Sequence, residues 1–212
     1  MKRYGIIGGT FDPIHFAHLY IAYEAKEKLS LDKIIFMPNG SPPHKRNKRV
    51  TEASLRYEMV LEAIKGYEGF EVSDFEILKE GLSYTYQTLE YLKKKYIDAE
   101  LFFITGADCL INLDKWVRVD RILNSANLVV FDRPGFREKD LIEEKKSIEN
   151  KYDKKITFLN LKDLDISSTD IRKRIKEGKR VDFFLPEEVN SIIEKNKLYK
   201  EGNLNYELWN NI

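Results

Sequence analysis

Gly8-Gly9-Thr10-Phe11-Asp12-Pro13-Ile14-His15-Phe16-Ala17-His18-Leu19 follows the short apolar run Tyr4-Gly5-Ile6-Ile7 and leads into a helical pattern that continues to Leu29. The order is strand, glycine turn, helix. A glycine pair lets the backbone approach a ligand closely, and the helix N-terminus behind it offers N–H groups and a partial positive charge. His15 and His18 are three apart and share one helix face. Two imidazoles beside a turn suited to phosphate point to a nucleotide site with chemistry at phosphorus. The plainer readings are a tight turn of an α/β protein, and a histidine pair that is only a polar face or the start of a metal site. Zinc takes three or four protein ligands. The chain offers one cysteine, Cys109, and one further histidine, His44, so no metal centre is expected.

Outward from this stretch, short β-rich runs alternate with helical ones, the pattern of a parallel sheet flanked by helices. Strands are predicted over residues 3–7, 33–37, 70–74, 100–105, 127–132 and 156–159. Helices are predicted over 16–28, 52–65, 85–96, 118–124, 141–150, 169–176 and 187–195. Leu101-Phe102-Phe103-Ile104 and Val129-Val130-Phe131 are continuous apolar runs, as strands covered on both faces require. The Lys- and Glu-rich stretch 137–155 reads as an exposed helix with i,i+4 pairs. Residues 1–199 are expected to form a single domain, helical from about residue 165, with a small helical C-terminal appendage. The tail 200–212 carries no clear signal and is expected to be partly disordered.

A length of 212 residues suffices for a substantial core. No apolar run approaches the ~18 residues of a membrane span, the N-terminus lacks the pattern of a signal peptide, and a lone cysteine fits a reducing compartment. A cytoplasmic protein without membrane contact is expected. Thirty-six basic residues balance 35 acidic ones, which argues against nucleic acid as a partner. The local run His44-Lys45-Arg46-Asn47-Lys48-Arg49 is either a solvated loop or a basic loop closing over phosphates, its entry stiffened by Pro42-Pro43. Sequence is compatible with a homo-oligomer and does not specify one.

In a doubly wound sheet, ligands sit beyond the carboxyl ends of the strands. The segments there are Gly8–His18, then 38–45, then Gly106-Ala107-Asp108, then Arg133-Pro134, and a single cleft is predicted to collect them. Ile166-Ser167-Ser168-Thr169-Asp170-Ile171-Arg172 is the second strong signal. Ser167 and Asp170 have capping-box spacing, so a well-capped helix accounts for part of it. Arg172 is predicted in the first turn, where the macrodipole disfavours a cation unless an anion lies between them. Hydroxyls, N–H groups and a guanidinium together suit a triphosphate.

Gly-Gly-Thr-Phe-Asp-Pro-Ile-His-x-x-His, with Ile-Ser-Ser-Thr-x-Ile-Arg far downstream, resembles the nucleotidyltransferase superfamily with the H-x-G-H signature. Within it the chain resembles bacterial nicotinate-nucleotide adenylyltransferases over roughly residues 2–199. One departure is Ala17, where that family usually has glycine. The resemblance implies a Rossmann-like doubly wound parallel sheet and adenylyl transfer from ATP to nicotinate mononucleotide, giving nicotinate adenine dinucleotide and pyrophosphate. It places ATP on Gly8, Gly9, Thr10, Phe11, His15, His18, Ile166, Ser167, Ser168 and Arg172. Nicotinate mononucleotide falls to His44, Lys45, Ser83, Tyr84, Thr85, Gly106, Asp108, Trp116 and Arg133. By the same resemblance Trp116 stacks on the pyridine, Asp108 meets a ribose, and the backbone at Ser83-Tyr84-Thr85 meets the carboxylate. The candidates for catalysis are His15, His18, Lys45 and Arg172, acting by positioning and charge stabilisation in a direct in-line attack. Magnesium is expected to arrive with ATP. The competing readings are a pantetheine-phosphate or cytidylyl transferase of the same fold, and a nucleotide-binding protein without turnover.

Overall fold

All six predicted strands form and join one sheet. The computed structural model describes residues 1–41, 49–131, 138–200 and 205–208. Its strands are β1 (Lys2–Gly9), β2 (Lys33–Pro38), β3 (Arg49–Thr51), β4 (Phe70–Val72), β5 (Ala99–Gly106), β6 (Asn127–Phe131), β7 (Ile156–Leu159) and β8 (Tyr206–Leu208). The main sheet runs β4-β2-β1-β5-β6-β7. Counting its members along the chain, that is third, second, first, fourth, fifth, sixth: the doubly wound order, reversing between β1 and β5. The ladders β1–β5, β5–β6 and β6–β7 are parallel, with Ile6 opposite Phe103 and Phe103 opposite Leu128. Ile34 to Met37 and Leu101 to Ile104 are buried without alternation, as strands with both faces covered must be.

The helices are α1 (Phe16–Lys28), α2 (Ala53–Ala63), α3 (Phe75–Leu78), α4 (Thr85–Lys95), α5 (Ala107–Ile111), α6 (Val119–Ser125), α7 (Glu138–Tyr152), α8 (Ser168–Lys176) and α9 (Glu187–Lys195), with a 3-10 turn at Leu113–Lys115. α1 and α9 have their predicted bounds. The short α3 and α5 were not predicted, because one turn of helix is too brief to establish a 3.6-residue period.

Two compact units share these elements. The first comprises Met1–Ile7, Ile21–Ile35 and Tyr84–Asp163. Within it Gly5 is dictated by packing, since a Cβ there would lie 2.6 Å from Ile34 Cδ1 and 2.9 Å from Ile104 Cδ1. α7 carries the predicted pairs, Lys139–Glu143 at 3.7 Å and Lys145–Glu149 at 3.8 Å. It also buries Leu141 and Ile148, so it is amphipathic where exposure alone was expected.

The second unit comprises Gly8–Tyr20, Phe36–Ser83 and Leu164–Ile212. α2 packs against α9, burying Met59 and Val60 on one side and Val189 and Ile193 on the other. Here the tail departs from expectation. Tyr206–Leu208 forms a strand antiparallel to β3, with Thr51 opposite Tyr206 and Arg49 opposite Leu208. Three residues cannot display a period of two, and their partner lies more than 150 positions earlier, so nothing local announced the pairing.

Candidate nucleotide site

The turn after β1 is shaped by one aromatic ring. Phe11 has φ 51°, in the left-handed region, which turns its buried ring inward to 5.9 Å from the ring of Phe36. A Cβ on Gly9 would sit 2.9 Å from that ring, so glycine is required by packing as well as by any ligand. The Gly9 carbonyl accepts the N–H of Asn39 at 2.8 Å, tying the end of β1 to the end of β2. The Asp12–Pro13 peptide is cis.

His15 stands at the start of α1, and its carbonyl accepts the N–H of His18 at 2.9 Å. In return the N–H of His15 donates to Nδ1 of His18 at 3.3 Å. This is a reciprocal cap in which an imidazole takes the place usually held by Glu or Gln. An Nδ1 that accepts carries no proton, so the ring proton of His18 is assigned to Nε2, which becomes its donor. The two imidazoles stack with centroids 3.7 Å apart, and the Phe11 ring meets His18 edge-on at 5.1 Å. His15 is buried, His18 is half-buried, and Ala17 between them is buried.

The second predicted segment reaches the same turn. Ser167 caps α8, its Oγ accepting from the N–H of Asp170 at 3.1 Å and donating to Asp170 Oδ2 at 2.5 Å. Ser168 Oγ donates to the Pro13 carbonyl at 2.8 Å. Arg172 Nη1 donates to the Asp12 carbonyl at 2.8 Å, and Nη2 to Thr169 Oγ1 at 3.3 Å. α8 starts at Ser168, so Arg172 is its fifth residue, one residue further in than predicted and just past the first turn, and its side chain reaches back toward the N-terminus. Ile166 precedes the cap, its N–H donating to the Leu164 carbonyl at 2.8 Å.

Two contributors were missed from sequence. Arg56 of α2 is wholly buried. Its Nε donates to the Thr51 carbonyl at 2.8 Å, and its Nη1 to the carbonyls of Asn39 at 2.8 Å and Thr10 at 3.1 Å. One guanidinium thus fastens the segments after β1, after β2 and at β3. A lone arginine on the Met59, Val60, Ala63 side of an apolar helix was the available signal. The other is Tyr199, whose hydroxyl donates to Asp12 Oδ1 at 2.7 Å.

After β2, Gly40 has no room for a side chain: a Cβ would fall 2.0 Å from the Glu76 carbonyl oxygen. Ser83, buried, donates its N–H to the Ser41 carbonyl at 2.9 Å. His44, Lys45 and the rest of 42–48 lie outside the described residues, as does Arg133.

The first unit holds the other predicted residues. Tyr84 is the extended N-cap of α4, makes no side-chain cap, and accepts at its carbonyl from Gln87 and Thr88. Thr85 is the first helical residue, so its N–H belongs to the set that no intrahelical carbonyl serves. α4 is held by Arg121 of α6. The guanidinium bonds Glu90 through Nε and Nη2, both at 2.5 Å, and lies over the Tyr86 ring at 4.4 Å. The hydrogen-bonded guanidinium holds the Glu90 carboxyl below its ordinary pKa. Gly106 is the extended N-cap of α5, and Asp108 is exposed on that helix, its carbonyl accepting from Asn112 Nδ2 at 2.9 Å. Trp116 ends the 3-10 turn, half-buried, its ring 6.2 Å from that of Phe103. A core aromatic would be covered more fully.

A family model described as cytidylyltransferase-like matches residues 6–174. A protein of Clostridium botulinum (strain Alaska E43) described as a probable nicotinate-nucleotide adenylyltransferase is 63% identical over 201 residues, covering 95% of this chain and 100% of its own. One of Clostridium perfringens (strain 13), with the same description, is 51% identical over 94% of this chain and 99% of its own. The chain belongs to the nicotinate-nucleotide adenylyltransferase family. The fold is that of the Plasmodium falciparum nicotinic acid mononucleotide adenylyltransferase complexed with NaAD, with a TM-score of 0.77 at 19% identity over 94% of this chain and 98% of that one. The site presents N–H donors and the Arg172 guanidinium. Among the described residues no group of three or more His, Cys, Asp or Glu is placed to hold a metal ion. No helix among them is long and apolar enough to cross a membrane.

Proposed function

We propose that this chain transfers the adenylyl group of ATP to nicotinate mononucleotide in NAD biosynthesis, giving nicotinate adenine dinucleotide and pyrophosphate. The observation that carries the reading is the convergence on one turn of His18, with its proton on Nε2, and Arg172, bonded to the Asp12 carbonyl. Both present donors where a triphosphate would lie against the start of α1.

ATP is assigned to Gly8, Gly9, Thr10, Phe11, His15, His18, Ile166, Ser167, Ser168 and Arg172. Ser167 and Ser168 use their hydroxyls to build the site, on Asp170 and Pro13, and so serve the phosphates through the α8 N-terminus. Nicotinate mononucleotide is assigned to His44, Lys45, Ser83, Tyr84, Thr85, Gly106, Asp108, Trp116 and Arg133. Main-chain donors at the start of α4 favour a carboxylate, whereas a carboxamide would oppose them with its own NH2.

The phosphate of the mononucleotide is the nucleophile, already ionised near neutral pH. One of its oxygens bonds the α-phosphorus of ATP in line, and the bond to the bridging oxygen breaks. Pyrophosphate leaves with the electron pair. The work of the protein is alignment and charge stabilisation. His18 donates from Nε2, and Lys45 and Arg172 offset charge on the transferring and leaving groups. His15 holds the His18 ring by stacking and by its N–H. Magnesium enters as part of the ATP substrate, retaining waters. We further propose that residues 1–199 act as one catalytic domain in the cytoplasm.

The test is product identity. The purified protein, given ATP and nicotinate mononucleotide, yields the dinucleotide and one pyrophosphate per turnover. Failure to form the dinucleotide would overturn the reading, leaving another transferase of this fold or a nucleotide-binding protein without turnover.

A further inference from the structure

Among the described residues, the buried pair of Tyr199 and Asp12 has no part in the catalytic set, and Tyr199 opens the segment that carries the weakest signal in the sequence. Tyr199 follows α9, is buried, and adopts φ 64°. Its hydroxyl donates to Asp12 Oδ1 at 2.7 Å. The other oxygen of the same carboxylate accepts the Thr51 N–H at 3.4 Å. The carbonyl of Asp12 accepts from Arg172. One residue of the signature turn is therefore gripped at its side chain by the C-terminal segment and in turn grips the arginine at its main chain. Tyr199 is itself held from beyond: its N–H donates to the Tyr206 hydroxyl at 3.2 Å, and Tyr206 begins β8, paired with β3. Asn205 adds a bond to the Asn196 carbonyl, and its own carbonyl accepts the Glu52 N–H. Burial, and then the charge of Asp12, push the Tyr199 phenol well above its ordinary pKa, so it remains a donor across the working pH range.

We propose that Tyr199 is a positioning residue for adenylyl transfer: through Asp12 it sets the Arg172 guanidinium, and the strand β8 holds Tyr199 in place. Physically, a carboxylate that loses a buried donor must turn or draw in water. Either response moves the Asp12 peptide, and with it the carbonyl that fixes Arg172. Displacements of this size matter because alignment supplies much of the rate. The proposal rests on the reading of Arg172 as a phosphate ligand.

The experiment is a double-mutant cycle on the full chain. Pyrophosphate release is measured for the parent, Tyr199→Phe, Arg172→Lys and the double variant, with kcat and the KM for each substrate. Tyr199→Phe should lower kcat about tenfold while the KM for nicotinate mononucleotide stays within about twofold. In the Arg172→Lys background the same change should cost less than about twofold, because the group it positions is gone. A merely structural role would lower active protein equally in both backgrounds, and that result overturns the proposal, as does parental kcat in Tyr199→Phe. Should Tyr199→Phe fail to fold, Tyr206→Phe reads the same coupling at one remove: a kcat loss confined to the Arg172 background supports the proposal, and parental kcat overturns it. An Arg172→Lys variant with parental kcat would instead defeat the reading of Arg172, whatever Tyr199 does.

Discussion

The N–H of His15 donates to Nδ1 of His18 at 3.3 Å while their rings stack at 3.7 Å, so the first histidine of the signature orients the second. This division of labour has a kinetic consequence. His18→Ala removes the donor and should reduce kcat by about two to four orders of magnitude, while the thermal midpoint moves by only a few degrees. Steady-state assay beside a melting curve decides it, and near-parental turnover would remove His18 from the mechanism.

Arg56 stabilises three segments at once, and its loss leaves the carbonyls of Thr10, Asn39 and Thr51 without their cation. Arg56→Met should cost at least about 3 kcal/mol, equivalent to about 6–12 °C in the thermal midpoint. Differential scanning calorimetry reads this directly, and an unchanged midpoint would mean that water substitutes fully for the guanidinium.

Gly40 is fixed by the Glu76 carbonyl, 2.0 Å from where a Cβ would be. Backbone cannot yield as a flexible side chain does, so Gly40→Ala should destabilise by more than about 1 kcal/mol. Urea denaturation gives the number. Parental stability would show that the segment can shift without cost.

The pairing of Glu90 with Arg121 carries a pH signature. The folded-state pKa of Glu90 lies below its ordinary 4.5, so its contribution is present above that pH and is lost as pH falls through the folded-state value. Glu90→Gln should therefore be less stable than the parent near pH 7, by at most about 1 kcal/mol for so exposed a pair. The gap should close in acid. A gap independent of pH would assign the effect to packing of α4 on α6.

How much of this was legible in the sequence depended on whether a signal was local. The strands announced themselves through apolar runs, and the Ser167–Asp170 cap through its spacing, because each is set within a few residues of chain. The glycine turn was legible too, although the reason for Gly9 was not, since the Phe11 ring that fills its space depends on a left-handed φ. Arg172 was recognised, and its place in the helix was off by one residue, because the helix begins at Ser168 and not at Thr169. The pairing of β3 with β8 and the contact of Tyr199 with Asp12 span most of the chain, and no window of sequence contains both partners.

The acceptor assigned to this site is nicotinate mononucleotide. Initial rates of pyrophosphate release from ATP, measured with nicotinate mononucleotide, nicotinamide mononucleotide and phosphopantetheine under identical conditions, decide the acceptor. The acid should show the highest kcat/KM, the amide a value at least about tenfold lower, and phosphopantetheine no turnover. Equal kcat/KM for acid and amide would contradict the role given to the start of α4, and turnover with phosphopantetheine alone would contradict the assignment as a whole.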